Sequence, residues 1–252
     1  MGRKASIEPT AQPFPPAVSG RGIGTLGEKT LHTALKRYIE PDCTWHEVRI
    51  GPYVADIMTD SGVTEIQTRG FSNMRKKLEY LLARCNVTVV YPVPHEKWVS
   101  WIDPETGEVS AKHKSPKIGT PSEIFRELVH IKYLLKEPNL TLRVLLVDME
   151  ETRFLNGWSR DRKSGSERCD RVPLRIVGDV TVSCPEDYEK LIPDVLPELF
   201  TSNDFSRAAH ISLSAAQSAL NILFYMDAVE RVGRDGRKYL YRRAPSGKSA
   251  AK

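Results

Sequence analysis

Two acidic residues, Asp56 and Glu65, stand on either side of a predicted tight turn and are the side chains best suited to chemistry. The stretches YVADIMT and VTEIQT have the alternation of strands, and Asp60-Ser61-Gly62 between them has the composition of a hairpin turn. Because side chains alternate along a strand, the hairpin predicts that Asp56 and Glu65 are neighbours. Adjacent carboxylates repel each other unless a proton or a cation neutralises them. The pair therefore predicts a site for Mg²⁺ or Mn²⁺.

A divalent ion held by these two acids would perform the chemistry of phosphodiester hydrolysis. The ion lowers the pKa of a bound water and stabilises the charge that develops on the phosphate under attack. The alternative interpretation is that Asp56 and Glu65 are ordinary residues at the edge of a sheet and face water.

The elements around the pair can be predicted from hydrophobic spacing. Leucines and aromatic residues between Leu26 and Ile39 recur at helical spacing, and Pro41 ends that helix. The strand WHEVRI precedes the two strands of the hairpin, a helix follows over residues 72–84, and NVTVVYPV is typical of a buried strand. The predicted order through residue 91 is helix, three strands, helix, strand.

This order, together with its acids, resembles the PD-(D/E)XK nuclease superfamily over residues 22–91. Glu28 lies in the first helix, Asp56 in the second strand and Glu65-Ile66-Gln67 in the third. The resemblance implies an α/β fold with a restriction-endonuclease-like α/β/α core and a mixed sheet. It also implies that Asp56, Glu65 and Glu28 bind the metal, that Gln67 orients the attacking water, and that these four residues form the catalytic set.

Gln67 departs from the family, which usually has Lys at this position. A neutral amide cannot favour hydroxide by charge, so the sequence leaves the activity open. The alternative function is a catalytically inactive, nuclease-like DNA-binding protein or transcriptional regulator. Lys76 or Lys77 on the following helix is either the missing cation or a solvated helix residue. Arg69 is placed either to hold the scissile phosphate or to pair with a local acid.

The carboxyl-terminal segment looks like a winged helix, with two helices followed by a basic hairpin. The resemblance implies a recognition helix that begins near Ser212 and a wing around residues 233–236. Small polar side chains can approach base edges while basic side chains hold phosphates. The predicted contacts to DNA are Ser214, Gln217, Asn221, Arg234, Arg237 and Lys238. Protein interaction or dimerisation is the alternative role of such a module.

The rest of the chain is predicted to be β-rich, with helices towards the carboxyl terminus. Residues 97–111 have the pattern of a hairpin, residues 121–135 of an amphipathic helix, and the stretches LTLRVLLVDMEE and 172–182 of strands. Between those strands, NGWSRDRKSGSERCD is polar and glycine-rich, as expected of a mobile loop. From about Asp187 the composition predicts helices again.

The amino-acid composition limits the partners and sites that can be expected. The 252 residues carry a net charge of +5, a mild preference for a polyanionic partner. Four scattered cysteines form no CxxC pair, so a zinc site is not expected, and the absence of a long apolar run predicts no membrane partner. We expect a cytoplasmic protein with tails at 1–21 and 245–252, a nuclease domain at 22–185 (core 22–91, extension 92–185) and a winged helix at 186–244. The sequence does not fix the oligomeric state, although duplex cleavage by such nucleases often uses a homodimer.

Overall fold

Helices and a large mixed sheet make up the fold, as a computed structural model shows for residues 12–14 and 29–245. The helices are α1 Lys29–Ile39, α2 Phe71–Leu82, α3 Phe125–Leu128, α4 Ser202–Ala208 and α5 Leu213–Tyr225. The strands are β1 Gln12–Pro13, β2 His46–Ile50, β3 Tyr53–Thr59, β4 Gly62–Ile66, β5 Val87–Ile102, β6 His113–Lys114, β7 Leu140–Phe154, β8 Arg168–Val182, β9 Val229–Asp235 and β10 Lys238–Arg243. The predicted α/β class with a mixed sheet is confirmed.

The main sheet, within the described residues, has eight strands in the order β1-β8-β7-β5-β4-β3-β2, with β6 paired to β5. Contacts divide the chain into two units. The first consists of Met1–Pro41, Pro94–Ile118 and Leu145–Asp179, and the second of Asp42–Val93, Gly119–Val144 and Val180–Lys252. Strands β5, β7 and β8 each contribute residues to both units. The predicted domain boundary at residues 185 and 186 stays a prediction.

In the second unit, the segment that carries the two acids folds as the sequence predicts. Strands β2, β3 and β4 are antiparallel neighbours, and β4 pairs in parallel with the first part of β5 after the crossover through α2. Val87, Val89 and Val90 are fully or almost fully buried, which explains the β-branched run of β5. The turn requires glycine at Gly62, since its φ is +131° and a Cβ there would lie 2.4 Å from the Asn86 carbonyl oxygen.

Helix α2 begins at a left-handed residue that a distant carboxylate supports. Gly70 has a φ of 72° and, as a glycine, has no side chain that could cap the helix. Instead the backbone N–H groups of Gly70 and Phe71 donate to Glu127 Oε2 at 2.8 and 3.0 Å. Glu127, on α3, therefore satisfies two of the N–H groups that have no partner within the helix at its start. Its negative charge also interacts favourably with the positive end of the helix dipole.

Three of the predicted elements differ from the structure. The sequence predicts one strand that ends near residue 93 and a separate hairpin at 97–111. In the structure a single strand, β5, continues through Pro92 and Pro94 to Ile102. The end of β5 does turn back, since Ile102 pairs with Val109 in a bridge. The expected helix 121–135 is divided into the 3-10 turn Pro121–Ile124, α3, and the 3-10 segment Val129–Leu134, with a non-helical φ of −125° at Ile131.

The third difference is the segment from Asp187 to Phe200, which the sequence predicts to be helical. It forms only the 3-10 turn Pro185–Leu191, and no α-helix follows before α4. Pro193 and Pro197 explain the difference, because proline inside a helix removes a hydrogen bond and clashes with the preceding turn.

The carboxyl-terminal helices and hairpin form where the sequence predicts them. Thr201 and Asp204 make a capping box at the start of α4, and the Ser212 side chain caps α5 by accepting from the N–H of Ala215. Strands β9 and β10 pair as a hairpin around Gly236, whose φ is 58°. No helix in the described ranges is long and apolar enough to cross a membrane.

Replacing Glu127 by alanine should destabilise the second unit. The start of α2 would lose both of its carboxylate hydrogen bonds, which are worth about 1–2 kcal/mol together with the dipole term. Urea unfolding of Glu127→Ala against the parent protein measures the loss. Glu137→Ala, which removes an exposed acid, is the matched control and should change the free energy of unfolding by less than about 0.5 kcal/mol. Equal stability of the two variants would contradict the assigned cap.

Candidate functional site

Asp56 and Glu65 occupy opposite positions on adjacent antiparallel strands. The register pairs Ile57 with Thr64 and Met58 with Val63, which places Asp56 across from Glu65 at the next position. Side chains at directly opposed positions lie on the same face, with Cβ atoms about 5 Å apart. The Asp56 carboxylate also accepts a hydrogen bond from the N–H of Ile66 at 2.7 Å, so one of its oxygens holds the end of β4.

Glu65 is a buried carboxylate with one neutralised oxygen and one oxygen in need of a partner. Only 4% of the residue is exposed. Its Oε2 accepts from Lys77 Nζ at 2.5 Å, while its Oε1 is buried and has no hydrogen-bond partner among the residues that the structure describes. A buried acceptor without a partner is costly, and one beside a second carboxylate is suited to a cation.

The environment of Glu65 raises its pKa from 4.5 to about 7. Burial is the largest cause and the negative charge of Asp56 is the second, while Lys77 and the backbone N–H of Asp56 act in the opposite direction. Near neutral pH this carboxyl can therefore exchange a proton for another positive charge.

The structure places Lys77 beside the carboxylate of Glu65. The sequence left it either as the missing cation or as a solvated helix residue, and the side chain is 19% exposed and ion-paired with Glu65. It lies on α2, one turn after Asn73, so the crossover helix places a positive charge beside Glu65, and its role as the missing cation stays a prediction.

Gln67 and Arg69 lie together just after β4. The Gln67 side-chain N–H donates to the Arg69 backbone carbonyl at 2.5 Å, and the Gln67 backbone N–H donates to Val90. The amide oxygen of Gln67 takes no part in that bond. Arg69 is exposed at the start of the turn that leads into α2.

The remaining predicted ligand, Glu28, lies outside the described residues. Among the residues that are described, no group of three or more His, Cys, Asp or Glu side chains is arranged to hold a metal ion. The carboxylates that the structure brings together are Asp56 and Glu65, and the metal role of all three acids stays a prediction.

The predicted DNA contacts lie on the exposed faces of α5 and the β9–β10 hairpin. Ser214, Gln217 and Asn221 are exposed at helical spacing, and Asn221 Oδ1 accepts from Lys132 Nζ at 2.6 Å. Arg234, Arg237 and Lys238 are exposed on the hairpin. The sequence reasoning omitted Arg231, whose guanidinium lies 4.3 Å from the ring centres of both Phe224 and Tyr239.

Sequence reasoning also missed two buried acids on β7, Asp148 and Glu151. They are 0% and 1% exposed and are surrounded by basic side chains of the first unit. The available signal was the run VLLVDMEE, because an acid inside an apolar strand must find partners or remain costly.

Stability should depend on pH through Glu65. Its raised pKa means that the folded protein holds a proton that the unfolded chain releases, so stability falls as pH rises from about 4.5 to about 7. Glu65→Gln keeps a neutral side chain and should lose this dependence, gaining on the order of 3 kcal/mol relative to the parent across the window. Unfolding measured in urea from pH 4.5 to pH 8 tests this, with Asp60→Asn on the same hairpin as control. Parallel pH profiles for Glu65→Gln and the parent would contradict it.

Comparison with known proteins gives a family and one distant relative. Residues 29–183 match the family described as a domain of unknown function (DUF8091). An "Uncharacterized protein" of Treponema pallidum (strain Nichols) is 28% identical over 226 residues, covering 89% of each chain. The comparison with solved structures gives no match. Because the family match covers more than half of the sequence, this chain belongs to the DUF8091 family.

Proposed function

We propose that this protein is a metal-dependent nuclease that hydrolyses phosphodiester bonds at the Asp56–Glu65 pair and binds DNA through its carboxyl-terminal helices and hairpin. The observation that carries the proposal is the buried Oε1 of Glu65, which has no hydrogen-bond partner within the described part of the chain, on a residue that shares a sheet face with Asp56. The resemblance of residues 22–91 to the PD-(D/E)XK superfamily supports the same assignment.

The donor set fits Mg²⁺ or Mn²⁺. Magnesium is commonly held by one or two carboxylates, with waters and substrate phosphates in its other positions, so a pair of acids is sufficient on the protein side. Asp56 and Glu65 would hold the ion, and Glu28 would join them if the resemblance to the family extends to the first helix. Bound there, the ion would supply Lewis-acid chemistry to a water and to the phosphate.

The chain's own residues would perform three tasks. Lys77 favours the ionised form of Glu65 against the effects of burial and of Asp56, which would help the site to accept a cation. The amide oxygen of Gln67, whose nitrogen donates to the Arg69 carbonyl, would orient the attacking water. Arg69, which is exposed just after β4, would bind the phosphate on which the water acts.

The carboxyl-terminal segment would bind DNA as a winged helix. Helix α5 presents short polar side chains that fit the edges of bases, and the hairpin presents basic side chains that fit phosphates. Stacking of Arg231 and Arg234 on Tyr239 restrains both guanidiniums on the hairpin, which reduces the entropy lost on binding.

A second candidate function is a DNA-binding protein without catalysis. The Lys77–Glu65 ion pair favours it, because a carboxylate already neutralised at 2.5 Å needs no metal ion to be stable. The glutamine at position 67 favours it as well.

Cleavage should depend on Asp56 and on a divalent metal. Purified protein with Mg²⁺ or Mn²⁺ should convert supercoiled plasmid to nicked or linear DNA, and Asp56→Asn should reduce the rate at least about 100-fold, because the ion loses a ligand. Asp60→Asn, an exposed acid in the same hairpin, should retain the parent rate. Cleavage that persists in Asp56→Asn would contradict the assigned site. Duplex binding with no cleavage in either metal would establish the non-catalytic function.

Duplex binding should depend on the hairpin in a salt-dependent manner. The double variant Arg234→Gln and Arg237→Gln should bind duplex DNA more weakly and lower the slope of log K against log salt by about 0.9 for each lost phosphate contact. Fluorescence anisotropy of labelled duplex in EDTA measures both effects. Arg126→Gln, an exposed arginine on α3, is the control and should leave the slope unchanged. An unchanged slope in the double variant would contradict DNA binding by the hairpin.

A further inference from the structure

Four basic side chains of the first unit converge on one buried carboxylate, that of Glu151. Its Oε1 lies 2.5 Å from Arg153 Nε and 3.3 Å from Lys97 Nζ. Its Oε2 lies 3.3 Å from Arg168 Nε and 3.4 Å from Arg171 Nε. We call these five residues the Glu151 cluster. Burial alone would raise the pKa of Glu151, but the surrounding cations lower it, so the carboxylate is ionised.

The Glu151 cluster combines four basic side chains with one carboxylate. Each guanidinium has five N–H donors, whereas one carboxylate accepts about four hydrogen bonds. The basic side chains are between 12% and 31% exposed, so each is held in place and still reaches the surface. Burial and the charges of Arg153 and Arg171 lower the pKa of Lys97, against the effect of Glu151. Arginines fixed in this way match the geometry of phosphate.

The loop that joins β7 to β8 begins and ends at this cluster. It follows Arg153 and Phe154, and it precedes Arg168. The N–H of Phe154 donates to the carbonyl of Glu167 at 2.9 Å, and within the loop the N–H of Trp158 donates to the carbonyl of Ser164 at 3.0 Å. The polar and glycine-rich composition that suggested a mobile loop therefore belongs to a segment with its own hydrogen bonds.

This loop presents an exposed indole. Trp158 is 83% exposed, far more than any other large hydrophobic residue in the described ranges except Val195. Its ring lies against Gly165, where a Cβ would come within 1.9 Å of the indole and where φ is +71°. Between residues 153 and 171 the chain has six basic and three acidic residues, so the segment that carries the indole has a net positive charge.

We propose that the Glu151 cluster and Trp158 form a contact site for single-stranded nucleic acid, in which the cluster binds backbone phosphates and the indole stacks on a base. A basic surface combined with an exposed aromatic ring is the combination that such binding uses. Unpaired bases offer their faces to an indole, whereas the bases of a duplex are already stacked. A membrane surface fits less well, since the loop around Trp158 is made of Asn, Ser, Gly and charged residues and offers no apolar face.

This site is separate from the hydrolysis proposed at Asp56 and Glu65 and from the duplex binding proposed for α5 and the hairpin. The test therefore uses the full chain in EDTA, with Arg234→Gln and Arg237→Gln as the background. A labelled oligothymidylate and an abasic strand of the same length are the probes. The readout is fluorescence anisotropy as a function of salt.

Trp158→Ala should weaken binding of the oligothymidylate about tenfold and leave binding of the abasic strand unchanged, because only the stacking contact is lost. Trp158→Phe should restore most of the affinity. Arg168→Gln should weaken binding of both strands by the same factor and lower the salt slope by about 0.7, the value for one phosphate contact of a single strand. Thermal unfolding by circular dichroism checks that Arg168→Gln is folded, and Arg153→Gln replaces it if it is not.

Three results would overturn the proposal. Trp158→Ala could bind the oligothymidylate as tightly as the background protein, or lose equal affinity for the abasic strand, which would make the indole a structural residue. The folded arginine variant could keep the full salt slope. Anionic phosphatidylserine vesicles could compete with the oligothymidylate and shift the tryptophan emission to the blue, which would assign the loop to a membrane surface.

Discussion

The cost of burying a carboxylate on a strand shapes both units of this protein. Glu65 on β4 and Glu151 on β7 are both almost fully buried, and an unpaired charge in such positions would destabilise the fold by several kcal/mol. Each acid is therefore met by basic side chains, Lys77 of α2 in one case and four cations, three of them from other strands, in the other. The two acids differ in how this balance is achieved, and the difference determines what each site can do.

At Glu65 negative charge is in excess. Asp56 lies across the strand pair, Lys77 offers a single cation, and the pKa of Glu65 rises to about 7. Such a site gains by taking up a proton or a metal ion. At Glu151 the imbalance is reversed, because four cations face one acid whose pKa is lowered. Such a site gains by binding an anion. A phosphate polymer with a divalent ion would satisfy both, which is why the proposals for the two units involve the same class of partner.

Helix starts and turns hold these side chains in position through contacts between distant parts of the chain. Glu127 satisfies the first N–H groups of α2, the helix that carries Lys77. The carboxylate of Asp56 holds the N–H of Ile66 beside Glu65, so one acid of the pair helps to fix the strand of the other. Gly165 leaves room for the indole of Trp158 to lie against its own loop. In each case a contact that involves the backbone helps to position a residue of one of the sites.

The sequence by itself determined the elements with strong local signals. The hairpin of β3 and β4, helices α1, α2, α4 and α5 and the hairpin of β9 and β10 follow from alternation, spacing and turn residues, and so does the pairing of Asp56 with Glu65, since a two-residue turn fixes the register. Only the tertiary structure decided that Lys77 rather than Lys76 reaches Glu65, that β5 passes through Pro92 and Pro94 without ending, and that Glu151 gathers cations from three strands. Those outcomes depend on contacts between residues far apart in the chain, and no local pattern encodes which distant side chain will arrive at a buried charge.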